Sequence, residues 1–105
     1  MEKIIIKTIE EAEAVKAASY KLRMAKNAFR DKNHEMVIER LQEMNNLLNP
    51  FFPEYLLDYK YKYFEDKEVR RAYFKAILVE ATEFFNRFKF SGKDLRKFNY
   101  IFEDL

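Results

Sequence analysis

The chain has 105 residues, enough for one domain with its own core, and its twenty Lys and Arg nearly balance eighteen Asp and Glu. A net charge of +2 gives no global pull toward nucleic acid or an acidic membrane, so electrostatic attraction has to come from a local patch. Eleven Phe and seven Tyr argue against disorder, and the absence of Cys excludes disulfides, thiolate metal sites and a thiol nucleophile.

One Gly and two Pro leave too few turn residues for a sheet protein, so the class expected is all-α: a single domain over residues 1–105, a compact bundle of four to five helices. The N-terminal Ile4-Ile5-Ile6 run reads as a short extended segment, either an edge strand or a flap. It is too short for a signal peptide or an anchor. No stretch approaches the roughly 18–20 apolar residues of a membrane span, and a cytoplasmic location without membrane contact is expected.

Thr8 and Glu11 form a capping box for the first helix. Val15, Ala18, Leu22, Ala25 and Phe29 then recur at spacings of three and four, while Ala14, Ala17 and Ala28 lie on a second face. Small residues on two faces place this helix at the centre. Asn33 marks the next boundary, and Val37, Leu41, Met44 and Leu48 form the stripe of a second helix that Asn49-Pro50 stops. Phe51-Phe52-Pro53 is a linker, and Pro53-Glu54 reads as the first turn of a third helix.

Tyr59 to Tyr63 alternates with period two, as a strand does, but Leu56, Leu57 and Phe64 flank it at helical spacing and the segment is read as helix. Asp66 either caps a fourth helix or lies inside one long helix over residues 53–90. Phe74, Ile77, Ala81, Phe84 and Phe88 form the next stripe, which Gly92 ends. Ser91 with Asp94 suggests a capping box for a last helix bearing Leu95, Phe98, Phe102 and Leu105. Leu22, Phe29, Leu41, Ile77 and Phe84 are expected in the core.

Catalytic sets are scarce. The single His34 stands in the first turn of the second helix, where an exposed polar role is the simplest reading. Arg30 and His34 echo the arginine-to-histidine spacing of helical ribonucleases, with nothing else in support. The pairs Glu39/Glu43 and Glu80/Glu83 lie one turn apart without the Glu-x-x-His elements of di-metal bundles, and no Gly-rich loop cradles a phosphate. No enzyme activity, metal or cofactor is expected.

Three surface features remain. On a helix, Tyr55, Tyr59 and Tyr63 would share a face; with Lys60 and Lys62 they are the expected partner-binding surface, because exposed Tyr supplies large stiff contact area. Arg70, Arg71 and Lys75, near Lys60, Lys62 and Lys67, form one basic stretch. Arg87, Lys89, Lys93, Arg96 and Lys97, interleaved with Phe88 and Phe90, form another, the expected contact if the ligand is nucleic acid.

The run Phe84-Phe85-Asn86-Arg87-Phe88-Lys89-Phe90-Ser91-Gly92-Lys93 is similar to the end of the small helical subunit of type III CRISPR effector complexes. The Thr-Thr-Ser and Tyr-x-x-Gly-Arg elements of that family have no counterpart upstream. The similarity keeps an RNA-contacting subunit in view and implies no more. The leading expectation is a non-catalytic protein that occupies the surface of a protein partner, as subunit or inhibitor, in the style of phage and mobile-element proteins. Its alternative is a small RNA- or DNA-contacting subunit. Self-association stays open.

Overall fold

Thr8 begins helix α1 (Ile9–Arg30) as its sequence dictates. The Glu11 amide donates to Thr8 Oγ1 at 3.1 Å, and the amides of Lys7 and Thr8 donate to Glu11 Oε1 at 3.0 Å. In this computed structural model, which describes residues 2–59, 62–103 and 105, strand β1 (Ile4–Ile6) precedes that helix. Helices α2 (His34–Leu48) and α3 (Lys67–Phe85), strand β2 (Phe88–Phe90) and a 3-10 helix (Lys93–Phe102) follow it.

Helix α1 packs against α2, α3 and the 3-10 helix, the central position its small residues foretell. Ala12, Ala18, Ala25 and Ala28 are buried with Val15 and Leu22, and buried Ser19 satisfies its hydroxyl by donating to the Lys16 carbonyl at 2.6 Å. The chain leaves α1 through Lys32, at a left-handed φ of 61°. The Lys32 amide donates to Phe29 O and the Asn33 amide to Ala28 O, the Schellman pattern that returns two orphan carbonyls to use. Asn33 then caps α2 by accepting from the Met36 amide at 3.2 Å, and Val37, Leu41, Met44 and Leu48 are fully buried against α1.

The third helix expected from Pro53 is absent: the described residues between α2 and α3 are irregular. Asn45 explains part of this. Its side chain accepts from the Leu57 amide at 3.1 Å and donates to the Leu57 carbonyl at 2.9 Å, so both backbone groups are committed to α2 rather than to a helical ladder. Tyr59 OH donates to the Ile38 carbonyl at 3.5 Å, and Phe52 is buried. Tyr55, Tyr59 and Tyr63 therefore do not share a helical face. Lys60, and Tyr61 beside it, lie outside the described residues.

Asp66 caps α3 by accepting from the amides of Glu68 and Val69, which settles that residues 53–90 are not one long helix. The helix stops at Phe85 instead of running to Gly92. Residues 88–90 turn into β2, which pairs in parallel with β1 in the register Ile4↔Phe88, Ile5↔Lys89, Ile6↔Phe90. The all-α expectation is corrected here: a short parallel two-stranded sheet joins the helices, and Ile4–Ile6 is a strand. Phe88 still meets Phe84, ring centroids 5.4 Å apart, so the spacing of four reported a true contact on the wrong backbone. Ile4, Ile6 and Phe88 face the core while Ile5 and Lys89 face out.

The Ser91–Asp94 capping box does not form. The Ser91 amide instead extends the ladder to Ile6 O at 3.0 Å, and Gly92, at φ 85°, precedes the 3-10 helix without a side-chain cap. Leu95, Phe98 and Ile101 are buried at a spacing of three, the period of a 3-10 turn. The α-helical expectation had chosen Phe102 in place of Ile101. Among the described residues, no helix is long and apolar enough to cross a membrane.

Phe88 holds the strand to the helices through edge and tilted contacts with Phe52, Phe84 and Phe85, centroids 5.2–5.7 Å apart. Truncating it to alanine should lower stability by about 3–5 kcal/mol in a denaturant titration. A loss below about 1 kcal/mol would show that the cluster does not anchor β2.

Candidate functional site

The α1–α2 turn and the start of α3 enclose a cleft of about 510 Å³, lined by Phe29, Arg30, Lys32, His34, Lys67, Glu68, Arg70 and Arg71. A second recess of about 280 Å³, lined by Lys32, Asn33, His34, Glu35, Tyr63 and Arg70, adjoins it through three shared residues. Five Arg and Lys and the only histidine thus face a single lining carboxylate in the larger cleft. Arg30, Lys32, Lys67 and Arg71 make no ion pair with any carboxylate among the described residues; Lys21 and Arg40 meet Glu43 elsewhere, on the α1–α2 face.

Local structure places each group. The left-handed turn at Lys32 brings the end of α1 beside the start of α2. Positive φ suits glycine, and a side chain there costs roughly 1–2 kcal/mol. A strained residue whose ammonium lines a cleft is a physical pointer to function. The Arg70 guanidinium donates through Nε and Nη2 to the Phe64 carbonyl, at 3.0 and 2.6 Å, and stands 5.3 Å from the Tyr63 ring centroid. That contact pre-positions Tyr63, the most exposed of the large hydrophobic side chains at 71%. Arg71 likewise stands over Phe29, 5.8 Å from the ring centroid.

His34 is half-buried, its ring stacked on Phe74 with centroids 4.6 Å apart and planes 7° apart. Burial, and then the Arg70 charge, push its pKa below the usual histidine range. The imidazole is therefore neutral near pH 7, able to stack and to accept a hydrogen bond. Arg30 and His34 line the same cleft, the juxtaposition their spacing raised. Among the described residues no cluster of three or more His, Cys, Asp or Glu could hold a metal ion.

The other expected site residues are dispersed. Tyr55 is half-buried at β1, with its hydroxyl 3.4 Å from Glu2 Oε1 and Arg87 over its ring. Tyr59 is half-buried against α2, and burial raises its pKa. Tyr63 and Lys62 are exposed, and Tyr63 alone of the three tyrosines reaches the basic clefts. In the C-terminal patch, Arg87 Nε donates to the Glu2 carbonyl at 2.9 Å, Phe88 is in the core, and Phe90 packs on Phe98 and Phe102. Lys89, Lys93, Arg96 and Lys97 are exposed charges; Lys97 stands over the buried Phe98 ring, and the exposed Tyr100 that follows them lies under Lys16. The sequence had marked Lys67, Arg70 and Arg71 as a basic stretch; what it missed was their meeting with Arg30, Lys32 and His34. The signal was the positive ends of two capped helices, at Asn33 and Asp66, flanking a charged turn. Compared with protein-family models, curated proteins and solved structures, the chain gives no match, so function rests on this geometry.

Because folding lowers the His34 pKa, the unfolded chain takes up its proton first as pH falls, and stability is lost on acidification below the unfolded histidine range. The variant His34→Phe keeps an aromatic ring on Phe74 and removes the titration. Its melting temperature should fall less than that of the parent between about pH 7.5 and 5.5. Equal falls would mean that His34 does not sense folding.

Proposed function

We propose that this chain is a non-catalytic binding protein, a subunit or an inhibitor, whose contact surface is the basic end formed by the α1–α2 turn, Tyr63 and the start of α3. One observation carries the reading: Arg30, Lys32, Lys67 and Arg71, without an ion pair among the described residues, converge with Arg70 on two adjoining clefts with a pre-positioned, exposed Tyr. Arg and Tyr are the residues that most often carry interface energy, and holding them in place beforehand removes ordering entropy from association. The surface this end occupies carries negative charge. Tyr63 and Lys62 keep their expected role in this reading, while Tyr55 and Tyr59 support the segment that presents them.

Catalysis is not part of the proposal. A neutral His34 could accept a proton, but the lining of the two clefts, with Glu68 in one and Glu35 in the other, includes no Ser, Thr or Cys as a nucleophile.

Affinity capture from the native host with the parent chain and with Lys67→Glu/Arg71→Glu tests the surface. Partners retained by the parent should be lost from the variant, with melting temperatures within a few degrees because both positions are exposed. Equal capture by both would move the contact surface elsewhere. The strained turn gives an independent check. Lys32→Gly should raise stability by about 1 kcal/mol while weakening capture; unchanged stability would show that the positive φ is not a strain.

A further inference from the structure

We infer that the two adjoining clefts form one groove for single-stranded nucleic acid, with backbone phosphates on Arg30, Lys32, Lys67 and Arg71 and a base against Tyr63. This rests on the reading of the basic end as the contact surface and names what that surface takes. Lys32, His34 and Arg70 line both clefts, so cations continue from the Phe29 compartment into the Tyr63 one and outnumber the single carboxylate in each, Glu68 and Glu35. Each compartment has an aromatic of its own, Phe29 in one and Tyr63 in the other, with cations between them. Alternating charge and ring is what a single strand requires, since phosphates need cations and every unpaired base offers a flat face.

The same pattern argues against other anions. A lone phosphate or carboxylate would use one compartment and leave the other without purpose. A duplex is read by a helix or ribbon that projects into a groove roughly 12 Å wide, whereas these cations line a recess. An acidic peptide would satisfy the Arg and Lys but has no use for a ring held open by a guanidinium. The C-terminal patch offers charge as well, yet Phe88 and Phe90 pack inward there and the exposed Tyr100 lies under Lys16, so no ring stands between its cations as Tyr63 and Phe29 flank those of the clefts.

Fluorescence anisotropy with labelled oligouridylate and oligothymidylate of about ten nucleotides, at about 50 mM salt, tests the inference. The parent chain should bind at least one of the two, and their ratio tells RNA from DNA as the source. Affinity should fall with salt at a log–log slope of roughly −2 to −3, about −0.7 for each of three or four phosphates. Tyr63→Ala should weaken binding roughly 5- to 150-fold, the range for loss of one stacked base. Lys67→Gln/Arg71→Gln should flatten the slope by about 1.4, and Arg96→Gln/Lys97→Gln should leave it unchanged. Thermal melts confirm that each variant is folded; should the glutamine pair unfold, Arg30→Gln supplies the same readout from α1.

Binding that survives the cleft variants, or is lost with Arg96→Gln/Lys97→Gln, overturns the inference. So does absence of binding to both oligonucleotides. If in that case a labelled oligoglutamate binds and is lost with Lys67→Gln/Arg71→Gln, the basic end remains the contact surface and only its ligand was misassigned. If neither binds and capture of partners is also insensitive to Lys67→Glu/Arg71→Glu, the reading of that end fails as well.

Discussion

Of the residues that α1 buries, Ala12, Ala18, Ser19, Ala25 and Ala28 present almost no side chain, and the arrangement of the other elements follows from that. The distance between packed helices is set by the side chains at their contact. A helix lined with small residues lets a neighbour's large ones fill the space close to its own backbone. Helix α2 meets it with Leu41, Met44 and Leu48, and α3 and the 3-10 helix bring Phe74, Phe85 and Phe98 into the same core. One slim helix can thereby serve three neighbours. A Leu at Ala18 or Ala25 would push one of them away, and the turn that shapes the basic clefts is held by two of those elements.

Part of the helix punctuation was legible in the sequence: Thr8 with Glu11 caps α1, and Asn33 and Asp66, each open to two readings, cap α2 and α3, whereas the equally local Ser91–Asp94 box does not form because the Ser91 amide pairs with Ile6. The stripes of α1 and α2 were equally plain. Phe29 departs from the expected core in being only partly buried, since it stands at the end of its stripe and walls the cleft instead. What could not be read was decided by partners distant in sequence. Asn45 claims the backbone of Leu57, and β1 claims that of β2, and neither leaves a mark in a window of ten or fifteen residues. The described part of Tyr59 to Tyr63 follows neither period, being irregular, neither helix nor strand.

The candidate site was half visible for the same reason. Lys67, Arg70 and Arg71 are neighbours in sequence and read as a basic stretch. Arg30, Lys32 and His34 are neighbours as well, but they read as the end of a helix, where cations are expected to complement the dipole. Only the packing of α3 against α1 makes one surface of the two groups. Conversely, the C-terminal run looked like a mixed basic and aromatic patch because sequence shows composition without direction. The structure separates its rings, which face the core, from its charges, which face solvent.

Parallel pairing of the first strand with one that follows the last α-helix has a consequence during synthesis. Ile4 leaves the ribosome 84 residues ahead of Phe88, the residue opposite it. At roughly 5–20 residues per second, that interval is about 4–17 s. Helices α1 and α2 form from nearby contacts and can fold as a hairpin meanwhile, but Ile4 and Ile6 have no ladder to join. The nascent chain therefore carries a short β-prone apolar segment without its partner until residues 88–90 emerge. Its brevity, with Glu2, Lys3 and Lys7 around it, is what keeps so long a wait from becoming an invitation to other chains.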